Sequence, residues 1–80
     1  RAAAAQRLAA DPDPASGHAL VRATTDEKWI VRASAVSAIA TRGDRSLGSA
    51  LVPRLDDENE TVRFNAAAAL VGLETGNVRK

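Results

Sequence analysis

The sequence predicts an all-α superhelix, a solenoid of stacked helical hairpins with about two and a half repeated units. Three observations predict it. The first is a shift of 31 residues that lays the chain over itself: Asp26-Glu27 falls on Asp57-Glu58, Val31-Arg32 on Val62-Arg63, Ala35 on Ala66, Ala38 on Ala69 and Ile39 on Leu70. Gly17 likewise falls on Gly48, and Ala19-Leu20-Val21 on Ala50-Leu51-Val52. A fixed period of this length marks small units that bury their apolar faces on one another. The second is composition. Eighteen of the 80 residues are alanine, and the large apolar residues are seven Leu, seven Val, two Ile, Phe64 and Trp29. Alanine buries little area but favours helix and close helix approach. The third is punctuation: proline and glycine gather between the periodic segments.

The elements run in order. Arg1 to Ala10 reads as a truncated copy of a second helix, with Arg1, Ala4 and Leu8 placed 31 residues before Arg32, Ala35 and Ile39. Asp11-Pro12-Asp13-Pro14 ends it, because each proline pushes its predecessor out of the α region. Ser16 to Thr24 is a short helix, capped by Asp13 or Ser16, with Ala19, Leu20 and Ala23 on one face. A turn over Thr25 to Lys28 leads to a helix from Trp29 to Arg42, whose stripe is Val31, Ala35, Ala38, Ile39 and Arg42, and Gly43 stops it. Asp44 or Ser46 starts the next helix, which carries Leu47, Ala50, Leu51 and Leu55, and Pro53 within it should bend or shorten it. The final helix runs from Glu60 to Leu73 with Val62, Ala66, Ala69, Leu70 and Leu73 inward, and Gly76 closes it. Ile39 and Leu70 are expected to be the largest buried residues of their helices.

One repeat domain spans 1–80: a half unit over 1–14, whole units over 15–45 and 46–77, and a stub at 78–80. The chain opens on Arg1 inside a helical pattern, without Met, and is expected to be a piece of a longer protein.

The string from Asp57 through Val62-Arg63, Ala66, Ala69 and Leu70 resembles the HEAT-like repeat family, and most nearly its bacterial short-repeat subgroup, the phycobilin-lyase type. Asp26, Val31-Arg32, Ala35, Ala38 and Ile39 match the same pattern. Ala50 to Leu55 resembles the first helix of such a unit. The resemblance implies a right-handed stack whose second helices line the inner surface. It also implies a ladder in which Asp26, Arg32, Asp57 and Arg63 join neighbouring units. The residues support that ladder on their own terms. Aspartate at a helix start meets unpaired N–H groups, and a guanidinium fork six residues later reaches a carboxylate or carbonyl of an adjacent unit.

Composition excludes several classes. Eleven basic and ten acidic residues leave a net charge of +1, which is not the footprint of a protein bound to phosphate backbones. With no cysteine there is neither a disulfide framework nor a thiolate zinc site. The longest apolar run, Ala66 to Val71, is far too short to span a membrane. His18 is the one histidine and aligns with Ser49, which argues for a tolerant surface position. The acidic pairs Asp11/Asp13 and Asp56-Asp57 lie in turns without His or Cys beside them, and the five glycines form no phosphate loop. No catalytic, metal or cofactor site is read.

Two residues depart from the repeat. Trp29 stands where the next unit has Glu60, and Phe64 where the preceding one has Ala33. An indole at a position that also accepts glutamate is either a partner anchor or a cover for its own hairpin near Val21 and Thr25. Phe64 is either an anchor or a filler between alanine-rich helices. Ser34, Ser37, Thr41 and Asn65 fall away from the apolar stripes, beside Arg32 and Arg63. With Trp29 and Phe64 they form the expected partner surface of a non-catalytic interaction module whose partner is a protein or peptide. The resemblance offers two other readings. One is a nucleic-acid-binding domain, since a HEAT-like class of DNA glycosylases holds a duplex, although the charge balance argues against it. The other is a fragment of a chromophore lyase, by subgroup alone. Self-association through uncapped terminal helices is also expected.

Overall fold

The computed structural model describes residues 13–78, with side-chain surroundings through residue 74. The expected helix over Arg1 to Ala10 lies outside the described residues, as do 11–12 of the half unit and 79–80 of the stub.

Helix α1 is Pro14–Ala23. Of the two cap candidates Asp13 takes the role: its carboxylate accepts the Ala15 N–H at 2.9 Å, with Pro14 opening the helix where a missing N–H costs nothing. Ser16 is buried instead. Helix α2 is Trp29–Arg42, closed by Gly43 in the left-handed region at φ 70°, which a residue with a Cβ rarely adopts. Helix α3 is Glu60–Val78. The expected stop at Gly76 is therefore corrected. A lone glycine costs a helix only about 1 kcal/mol, which does not end it when the backbone stays right-handed.

Between α2 and α3 the expected single helix is two 3₁₀ segments, Arg45–Ala50 and Val52–Asp56, joined at Leu51. Pro53 has no N–H to give and its ring crowds the preceding turn, so the chain turns tighter and restarts. Asp44 caps the first segment, accepting the Ser46 N–H at 3.0 Å and its hydroxyl at 2.6 Å. Leu55, expected on an apolar face, ends up exposed because the second segment rotates it outward.

The layers match the repeat. Helix α1 packs on α2, the 3₁₀ pair packs on α3, and α2 packs directly on α3. Leu20, Val36, Ile39, Leu47, Leu51 and Leu73 make the core with Ala38, Ala66 and Ala69. Gly17 permits close approach: a Cβ there would stand 3.3 Å from a Leu47 methyl. All of the expected α2 stripe is buried except Arg42, which is half-buried. Ala33 and Val36 are buried as well, because α3 covers a second side of α2. Leu70 is only partly buried, so it is not the counterpart of fully buried Ile39.

Candidate protein-interaction surface

The turn before each second helix is built on an aspartate. Asp26 accepts the Lys28 N–H at 2.9 Å, and Asp57 accepts the Asn59 N–H at 2.9 Å. These are Asx turns, two residues long, rather than the helix caps that the sequence suggests. The cap of α3 is Asn59, whose carboxamide oxygen accepts from Thr61 and Val62. Its signal in the sequence is an asparagine two residues past a turn aspartate, a position that the repeat pattern by itself does not mark.

Arg32 joins the units. Its Nε and Nη2 donate to the two oxygens of Asp57, at 2.8 and 3.0 Å, while Nη1 donates to the carbonyls of Asp26 and Glu27. Arg54 adds a third donor to Asp57 at 3.1 Å. The Asp57 side chain is 3% exposed, so its charge is tolerable only because these donors surround it. The hydrogen bond from Arg32 holds the Asp57 carboxyl below the usual carboxylate range, against the opposing effect of burial. The same bond holds the Arg32 guanidinium above its ordinary value. Arg63 repeats half of this arrangement: its Nη1 donates to the Asp57 carbonyl at 2.7 Å, as Arg32 does to Asp26.

Above this joint, α2 and α3 leave a groove of about 430 Å³ between them. Its floor is Ala33 and Ala38. Its walls are Trp29, Ile30, Ser34, Ser37 and Thr41 from α2 and Thr61 and Asn65 from α3. It continues along the helices past Ala40, Ala68 and Ala69. The two helices touch across it through the Asn65 carboxamide, which donates weakly to the Ser37 hydroxyl at 3.5 Å. Thr41 turns its hydroxyl back to the Ser37 carbonyl at 3.1 Å.

Of the six expected surface residues, the structure brings five together: Trp29, Ser34, Ser37, Thr41 and Asn65. Trp29 keeps 44% of its surface exposed. It lines one depression with Thr61 and Asn65 of α3 and a second with Glu58 and Asn59 of the turn before it. Phe64 is set apart. It is 72% exposed, so it fills no gap between helices. Standing one residue before Asn65, it lies about 100° round the helix from it. Ile30 and Thr61, which also line the groove, stand at the same place in successive units and fall neither among the expected apolar stripes nor among the expected polar positions beside them.

His18 is exposed on α1. Among the described residues no group of His, Cys, Asp and Glu is placed to hold a metal ion, and no helix is long and apolar enough to cross a membrane. A family model described as HEAT repeats matches residues 1–71. A search of curated proteins returns no match.

Proposed function

The chain belongs to the HEAT repeat family, and from that premise we propose that it is a non-catalytic interaction module that holds a protein or peptide against its second helices. HEAT repeats are typically scaffold modules. One observation carries the reading: the exposed groove between α2 and α3 has no charged residue in its lining, in a chain where 26% of residues are charged. Depletion of charge around an aromatic residue is the composition of an interface centre rather than of an idle surface. Asp26, Arg32, Asp57 and Arg63 serve as the structural ladder that holds the wall helices in register, and bind no ligand. The units run over 15–45 and 46–77, after a half unit at 1–14 and before a stub at 78–80, in the manner of the bacterial short-repeat subgroup.

Photo-crosslinking from the protein's own surface tests this. A photoreactive residue placed at Ser37 is expected to capture a discrete protein partner, and the same group at His18 on α1 to capture none. Equal capture from both positions, or none from Ser37, overturns the reading.

A second contact is supported by the outer face of α3, where Phe64 and Val71 are exposed. That face takes a second copy of the chain in concentrated solution. Sedimentation velocity checks it, with Phe64→Ser expected to return the chain to monomer.

A further inference from the structure

The repeat sets two acids before each second helix, Asp26-Glu27 and Asp57-Glu58. Asp57 is consumed by the fold, since Arg32, Arg54 and the Asn59 N–H all donate to its carboxylate. The repeat-equivalent glutamates are not: Glu27 and Glu58 are both exposed. They line one depression of about 380 Å³ together with Trp29, Arg32 and Asn59. Trp29 also lines the uncharged groove. Its indole therefore stands where the neutral groove opens on to a charged edge.

The sign of that edge is acidic. Residues 26–32 and 54–63 carry six carboxylates, on Asp26, Glu27, Asp56, Asp57, Glu58 and Glu60, against four cations. Arg32 and Arg54 share the Asp57 carboxylate, Arg63 donates to the Asp57 carbonyl and Lys28 is the fourth, so the carboxylates of the two stretches outnumber their cations. Arg32 lines the depression, but its charge is matched by the carboxylate that it grips. An aromatic face attracts a cation through its quadrupole. Carboxylates on either side add Coulomb attraction that a neutral or acidic group would not receive.

Resting on the interaction reading above, we infer that the segment bound in the groove carries a lysine or arginine at its Trp29 end, stacked on the indole between Glu27 and Glu58. The uncharged walls receive small, uncharged residues of the same segment, and the acidic edge fixes its direction. Charge complementarity thus selects both the partner's sequence and its polarity along α2.

Trp29 is the sole tryptophan, so its indole N–H resonance reports on this end alone. The probes are three acetylated hexapeptides, Ala-Leu-Ser-Ala-Xaa-Ala amides with arginine, norleucine or glutamate at the variable position. The arginine peptide is expected to shift the indole resonance and to bind about two- to fivefold more tightly than the norleucine peptide, with the glutamate peptide weakest. Combining Glu27→Gln with Glu58→Gln removes the preference, and added salt weakens it. If arginine and norleucine peptides bind alike, or the preference survives both glutamine substitutions, the cationic anchor is overturned while the groove reading stands. If none of the three moves the indole resonance, the anchor is overturned as well. Crosslinking from Ser37 then judges the groove separately.

Discussion

Ala33 and Phe64 occupy the same place in successive units, yet one is 6% exposed and the other 72%. The difference runs along the whole helix face. On α2, Arg32, Ala33, Val36 and Ile39 are buried, whereas their counterparts on α3, Arg63, Phe64, Ala67 and Leu70, are exposed or half-buried. The neighbour makes the difference: α3 covers that face of α2, and no described element covers it on α3. Burial in a stack is set by the next unit as much as by a helix's own stripe. The guanidiniums show the same contrast. Arg32 uses one edge for the carbonyls of its own turn and the other for Asp57, while Arg63 uses its Nη1 for the Asp57 carbonyl.

The largest effect that sharpens this comparison is Ile39→Ala, which empties a fully buried site and should cost about 3 kcal/mol in urea unfolding. Leu70→Ala, one unit on, should cost about 1 kcal/mol, because its side chain is only partly buried. Equal losses would break the comparison.

Asp57→Asn should cost about 2 kcal/mol by leaving Arg32 buried without its carboxylate. It should also change acid unfolding. The Asp57 carboxyl is held below its ordinary value in the fold. Its contribution is therefore complete above the unfolded value near pH 4 and is lost as pH falls through the lowered folded value. Stability measured between pH 7 and pH 2 should fall less steeply in the asparagine variant over the acid end of that range. A parallel pair of curves would deny Asp57 this role.

A double-mutant cycle between Arg32→Ala and Asp57→Ala should give a coupling of about 1 kcal/mol or more. The cycle with Asp26→Ala should be nearly additive, since Arg32 bonds the Asp26 carbonyl, which that substitution keeps. The smallest effect is Phe64→Ser, expected within about 0.5 kcal/mol on the monomer, with its consequence in self-association alone.

Helix α2 was legible because its alanine-rich periodic segment ends at Gly43, a left-handed stop, whereas α1 was legible as an element with its cap open between Asp13 and Ser16. The start of α3 was legible from its 31-residue alignment with α2, although its cap, Asn59, was not, and neither was its end. Gly76 looked like Gly43 as a residue type, but only the backbone decides whether a glycine turns left-handed. Pro53 announced a disturbance without saying that the whole segment would tighten into 3₁₀ turns. Ala33 and Val36 were missed as core because an i, i+4, i+7 stripe describes how a helix meets its own hairpin. The second wall belongs to the neighbour. Five of the six surface residues were found on one groove because polar positions beside a stripe share an arc of the helix, while Phe64 sits beyond that arc.

The central claim is that each unit offers its successor the face that α2 offers α3, with the arginine as the joint. It is tested by fusing a second copy of residues 46–76 after residue 76 and measuring Arg63→Ala in both the parent and the extended chain. In the parent the substitution should cost little, since Arg63 holds one turn carbonyl from an exposed position. In the extended chain the copied Asp57 lies 25 residues beyond Arg63, the spacing that separates Arg32 from Asp57. There the loss should rise by about 1–2 kcal/mol, alongside a gain in overall stability. An equal cost in the two chains would contradict the claim.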